Sequence, residues 1–280
     1  MKAVENVRIA QVKSKPIVAD FYFKNDGKPK PVVIFCHGYK GYKDWGAWNL
    51  MVDSFVNEAL FFTKFNFSHN GGTMENPIDF PDLNAFGENT FTKELDDIET
   101  VLDYITSHPD FKENIDLSDI TLVGHSRGGG TVLVKAGEST RIKRVVSWAG
   151  VSDFGARFPT GDALAEWKAN GVAYIENART KQQMPHVFNF YTNFKENEAR
   201  LTIQTAVENL KIPQLIIQGA GDEVVKPAEA IRLQEWNPTA ILKLIPNANH
   251  TFGAVHPWTK ETMPSDLRAV VEATIDFIKQ

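Results

Sequence analysis

Cysteine is nearly absent from this 280-residue chain. With Cys36 alone, no internal disulfide can form and a four-cysteine zinc site is impossible, which favours a reducing compartment. A basic excess is missing as well. The 30 Lys and Arg stand against 35 Asp and Glu, a net charge of −5, so nucleic acid and anionic membranes are not expected as partners. No stretch approaches the roughly 20 apolar residues of a membrane span. The opening MKAVENVRIAQVKSKP has no apolar run longer than two residues before a charged or polar one interrupts it, and so lacks the apolar heart of a secretory signal; a cytoplasmic location is the expectation. There is no HExxH, no calcium-loop pattern, no GxGxxG after a first strand and no phosphate loop, so neither a metal nor a cofactor is expected. Disorder and collagen are excluded by a composition that is 42% hydrophobic and 23% charged, with 19 Gly.

What is present is an alternating order of strands and helices. Short apolar runs at 32–35 (VVIF), 61–67, 120–124 (ITLVG), 144–150 (RVVSWAG), 213–219 (PQLIIQG) and 241–246 read as buried parallel strands. Amphipathic stretches at 47–59, 94–105, 128–138, 227–236 and 265–279 read as the crossover helices. The expected class is α/β, with a mostly parallel central sheet flanked by helices on both faces, within a single domain spanning 1–280. Upstream, 16–23 and 32–35 are joined through Asn25-Asp26-Gly27, which predicts an antiparallel opening hairpin. Two segments interrupt the rhythm. Residues 68–91 read as a long loop. Residues 153–200 hold Trp167, Tyr174, Phe188, Phe190, Tyr191 and Phe194 between two core strands; an insertion this aromatic must cover the core or a ligand, and Trp167, Tyr174 and Phe188 are its candidate substrate contacts.

The sharpest chemical signal is Gly124-His125-Ser126-Arg127-Gly128, directly after ITLVG and before a helical stretch. In such a strand-turn-helix elbow a strained backbone lifts the serine hydroxyl above the sheet, and the flanking glycines let strand and helix approach. A serine hydroxyl needs a base and the base needs an orienting carboxylate. Asp222 lies just past PQLIIQG and His250 just past the last strand, so Ser126, Asp222 and His250 would all emerge at strand C-terminal ends. Competing residues are His256 for the base, which sits farther from the strand end, and Glu223 or Asp153 for the carboxylate; Asp153 follows RVVSWAG and could reach the site from that strand, but Asp222 lies at the expected strand end. His125 is read as structural, His69, His108 and His186 as surface or loop residues, and Cys36 as core. Acyl transfer also needs donors for the developing oxyanion. Cys36-His37-Gly38-Tyr39 follows VVIF where such a donor belongs, giving the backbone N–H groups of Tyr39 and Arg127 as the pair.

Together HGYKGYKDW (37–45), FNFSHNGGT (65–73), GHSRGG (124–129), WAGVSDF (148–154), GAGDEVV (219–225) and NHTFG (249–253) resemble the α/β-hydrolase superfamily, in its dienelactone-hydrolase-like and cinnamoyl or feruloyl esterase-like branch. The resemblance covers residues 30–280. It implies the α/β-hydrolase fold, the triad and donors named above, and an inserted lid at 153–200. Dienelactone hydrolase proper carries cysteine at the elbow, and dehalogenases and epoxide hydrolases carry aspartate, so Ser126 argues against those activities. Arg127 stands where many esterases have an uncharged residue; it either packs at the surface or favours an acidic substrate group. The expected activity is cleavage of a small-molecule carboxylic ester through an acyl-enzyme. A peptidase or acyl transferase could use the same triad, and a non-catalytic binding protein the same fold. The oligomeric state stays open, a homodimer among the options.

Overall fold

A computed structural model describes residues 1–12 and 14–280. Its strands are β1 (Lys2–Ile9), β2 (Ile17–Phe23), β3 (Lys30–Cys36), β4 (Phe61–Asn66), β5 (Ile115–His125), β6 (Arg144–Trp148), β7 (Val172–Glu176), β8 (Gln183–Val187), β9 (Gln214–Gly219) and β10 (Ile241–Ile245). The helices are α1 (Trp48–Asn57), α2 (Leu83–Gly87), α3 (Phe91–Ser107), α4 (Arg127–Glu138), α5 (Gly161–Asn170), α6 (Asn189–Glu196), α7 (Glu198–Leu201), α8 (Ile203–Glu208), α9 (Pro227–Trp236) and α10 (Ser265–Ile278). Eight strands form one sheet in the order β1-β2-β4-β3-β5-β6-β9-β10. From β4 to β10 every neighbouring pair is parallel. No helix among the described residues is long and apolar enough to cross a membrane.

Alternation along the central strands explains the layers. In β3, Val32, Ile34 and Cys36 join a core containing Leu95 and Ile98 of α3, Val132 of α4 and Leu233 of α9. Val33 and Phe35 point the other way, into a second core with Trp48 and Phe55 of α1 and Val270 of α10. A strand buried on both faces needs apolar residues at every position, and for that reason VVIF reads as a continuous run.

The expected opening hairpin does not form. β4 lies between β2 and β3, antiparallel to β2, and both edges of β3 are taken by parallel neighbours. β2 pairs instead with β1, antiparallel, through a register shift between Val4 and Val7. β1 was missed because an edge strand keeps one face in water: its Lys, Glu and Arg side chains dilute the apolar signal. The 68–91 loop also contains α2, capped by Asp82, and its Phe80 and Phe86 pack with Tyr42 and Met184. Residues 153–200 hold a short 3-10 turn, α5, the separate β7-β8 hairpin, α6 and most of α7, and α8 then lies beside α4, where Ile203 Cδ1 would sit 2.8 Å from a Cβ on Gly130.

Candidate active site

Ser126 sits between β5 and α4 with φ 57° and ψ −120°. That conformation costs energy for any residue with a Cβ, and the surroundings hold it in place. The Ser126 N–H donates to the Trp148 carbonyl at 2.9 Å, and the Ser126 carbonyl accepts from Gly129 and Val151 at 2.9 and 3.2 Å. The glycines are required by contact: a Cβ on Gly124 would lie 2.2 Å from the Gly128 carbonyl oxygen, and one on Gly128 would lie 2.5 Å from those of Cys36 and His37.

The three residues singled out in the sequence meet. His250 Nε2 is 2.9 Å from Ser126 Oγ, and His250 Nδ1 is 2.8 Å from Asp222 Oδ2. The Asp222 carboxylate is buried and fully partnered: Oδ1 accepts from the N–H groups of Val224 and Val225, and Oδ2 from Gln218 Nε2 at 3.0 Å. Burial alone would push this carboxyl up, but the His250 hydrogen bond and the two N–H donors outweigh it and hold it below the ordinary carboxylate range. A carboxylate kept ionised fixes Nδ1–H on the imidazole and leaves Nε2 free to accept the serine proton. Gln218, a buried amide that follows the apolar Leu215–Ile217 run of β9, was not singled out from the sequence; a polar residue inside a two-sided strand was the available signal.

The competing residues are placed elsewhere. Nδ1 of His256 accepts from the Gly46 N–H at 2.9 Å. Asp153 is exposed and caps its own turn, accepting from Gly155 and Ala156; Glu223 is exposed. His125 donates from Nε2 to the His250 carbonyl at 2.8 Å, and burial pushes it down to about 3, so it is a neutral strut against His250. Cys36 is fully buried and its thiol is pushed up by that burial. His69 lies in the loop but is buried, 5% exposed, and His186 is neither surface nor loop: it sits in β8, half-buried, with Nε2 at 2.7 Å from Tyr39 Oη. Burial holds both neutral, at about 4.

Tyr39 follows Gly38, whose missing Cβ would fall 2.8 Å from Ser126 Cβ. The backbone N–H groups of Tyr39 and of Arg127, the first residue of α4, have no acceptor in the fold among the described residues. Unpaired donors near a serine hydroxyl, that of Arg127 at a helix N-terminus and that of Tyr39 in the turn after β3, suit a developing oxyanion.

Above Ser126 opens a cavity of about 630 Å³ lined mainly by apolar side chains, among them Phe91, Phe154, Phe158, Trp167, Phe190 and Val225. Of the three predicted contacts, Trp167 lines it, held by a bond from Nε1 to the His186 carbonyl at 2.7 Å. Tyr174 and Phe188 do not. β7 alternates, so Ala173 and Ile175 face the cavity while Tyr174 points out and is 60% exposed. Phe188 packs edge-on behind Trp167. Among the described residues no group of three or more His, Cys, Asp or Glu is placed to hold a metal ion.

An elbow serine between strand and helix, bonded to a histidine and through it to a carboxylate that both follow later strands, defines an α/β-hydrolase architecture. Residues 82–254 match the sequence profile of the alpha/beta hydrolase fold family, and the chain belongs to that family. Solved structures with the same fold include ferulic acid-bound Est1E from Butyrivibrio proteoclasticus, 19% identical with a TM-score of 0.71 over 98% of each chain. An esterase domain from Rhodothermus marinus is 16% identical, TM-score 0.66, over 99% of this chain and 98% of its own. Dienelactone hydrolase from Anabaena variabilis is 17% identical, TM-score 0.65, over 99% and 97%. No curated protein matches the chain by sequence.

Proposed function

We propose that the chain is a serine carboxylesterase acting through an acyl-enzyme. The observation that carries this reading is the unbroken relay from Ser126 Oγ to His250 Nε2 at 2.9 Å and from His250 Nδ1 to Asp222 Oδ2 at 2.8 Å. Ser126 Oγ attacks the ester carbonyl carbon as His250 takes its proton. Negative charge gathers on the carbonyl oxygen, which accepts from the Tyr39 and Arg127 N–H groups. Collapse breaks the bond to the leaving alkoxide, and His250 returns the proton to it. Water, deprotonated by the same imidazole, then attacks the acyl-enzyme, releasing the acid and restoring Ser126. Asp222 stabilises the imidazolium in both halves.

The apolar cavity favours an ester with a sizeable hydrophobic body, and residues 153–200 act as a lid over it. The elbow serine and the structural likeness to esterases support an ester as substrate. The test is hydrolysis of p-nitrophenyl esters from acetate to longer acyl chains, and of methyl ferulate, by the wild type and Ser126→Ala. Wild-type turnover should fall by about 10⁴-fold or more in Ser126→Ala. Turnover that survives the substitution removes Ser126 as the nucleophile.

A further inference from the structure

The large cavity is apolar along most of its wall, with two basic side chains among its lining. Its described lining includes two arginines, Arg127 and Arg157, and no Asp or Glu. The two arginines are not equivalent. Arg157 is 39% exposed and bonded through Nη2 to Glu229. Arg127 is 18% exposed and enclosed by aromatic rings: its guanidinium centre is 4.4 Å from the Tyr39 ring, 5.3 Å from Phe190 and 5.4 Å from Phe91.

A guanidinium has five N–H donors. Among the described residues those of Arg127 make one contact, from Nη1 to Glu94 Oε1 at a long 3.4 Å. That carboxylate already accepts from Asn89 Nδ2 at 2.7 Å and from Thr131 Oγ1 at 3.2 Å. Glu94 is absent from the large cavity's lining and borders a narrow cleft of about 20 Å³ that Arg127 also lines. The rings therefore fix the cation, and most of its donors are left without a protein acceptor.

An apolar substrate body that fills the cavity shuts water out from those donors. A buried donor without an acceptor is costly, and a planar carboxylate can satisfy two at once. Both arginines have carboxylate partners, Glu94 and Glu229, but neither carboxylate lines the cavity, so the charge that faces a ligand there is the unmet donor edge of Arg127, which favours an anion over a neutral acceptor. We propose that the ester taken by this site carries a second carboxylate on its apolar body, and that the Arg127 side chain selects for it. The substrate class rests on the esterase reading above; the anion preference of the cavity does not.

Matched pairs of esters test the substrate class. The p-nitrophenyl monoester of suberic acid against p-nitrophenyl octanoate places the charge on the acyl side; 4-acetoxybenzoate against 4-acetoxybenzamide places it on the alcohol side. The wild type should prefer the carboxylate in kcat/KM by about tenfold or more in at least one pair, and the preference should shrink about tenfold in Arg127→Met. The pair that responds identifies the side. A ratio within one variant cancels any general loss of activity. Because Arg127→Met leaves Glu94 buried without its cation, Arg127→Met/Glu94→Gln is measured beside it. Calorimetric binding of 4-phenylbutyrate and 4-phenylbutyramide to Ser126→Ala protein reads the anion preference without turnover, so a failed esterase reading stays distinguishable. Equal binding and equal hydrolysis in the wild-type cavity, or a carboxylate preference that survives both Arg127 variants, overturns the proposal.

Discussion

The strand ends around Ser126 and the inserted segment above them are built by opposite means. At the strand ends backbone meets backbone: Cβ positions on Gly124, Gly128 and Gly129 would lie 2.2 to 2.6 Å from neighbouring main-chain atoms. In the insertion the contacts are aromatic, with Phe91 on Phe154 at 4.0 Å, Phe158 on Phe190 at 5.2 Å and Trp167 on Phe188 at 5.3 Å. A backbone contact admits no added atom, whereas one apolar side chain can be exchanged for another at modest cost. The part that would do chemistry is thus rigid by construction, and the part that would choose the substrate is replaceable.

The largest effect expected of this contrast is acid sensitivity concentrated around the site. Burial drives four histidines well below the ordinary value: His37, His69 and His186 to about 4 and His125 to about 3. Once unfolded, each takes a proton near pH 6.5. The stability they contribute is complete above that value and is lost as the pH falls toward 4. Asp97 works in the opposite sense. Burial raises its carboxyl to about 7, so its contribution is lost as the pH rises through that value. Four histidines outnumber one aspartate, and unfolding near pH 5 should take up about three protons, a slope of about 4 kcal/mol per pH unit. Urea unfolding between pH 4.5 and 6.5 measures it, and a flat profile removes the account. His125→Gln, which keeps a donor for the His250 carbonyl, should lower the slope by about one proton. His186→Gln should do the same from the insertion.

Smaller, but confined to chemistry, is Gly38→Ala. The added methyl would meet Ser126 Cβ at 2.8 Å and the His125 carbonyl at 3.0 Å, pushing the Tyr39 N–H away from the serine. Turnover of a p-nitrophenyl ester should drop about 100-fold with KM little changed, the size of losing one oxyanion donor. An unchanged kcat would show that Tyr39 supplies no such donor.

The same contrast explains what could be read without coordinates. Ser126 announces itself because its conformation needs glycines at fixed offsets after an apolar strand, a local constraint that leaves a local trace. Asp222 and His250 are legible because parallel strands deliver their successors to one edge of the sheet. The β2-β4-β3 order is not legible, since pairing is decided by which strands arrive later, and the turn at Asn25-Asp26-Gly27 is compatible with either outcome. Nor was His186, whose burial depends on Tyr39, 147 positions away in sequence. Tyr174 was misjudged because composition marks the insertion as aromatic but does not say which face of β7 turns inward.

The smallest effect belongs to the insertion, where the wall should yield before the fold does. Phe158 is half-buried, lines the cavity and packs against Phe190, Tyr191 and Phe194. Because it is not fully enclosed, Phe158→Ala should cost only about 1 to 2 kcal/mol, below the usual loss for a buried phenylalanine. The vacated volume opens onto the space above Ser126, so the acyl-length optimum should move toward longer chains while kcat on the acetate ester stays within about threefold. Measuring chain-length profiles of both proteins decides it. A uniform loss across all lengths would mean that Phe158 supports the catalytic floor as well as the wall, and the division between rigid and replaceable parts would have to be redrawn.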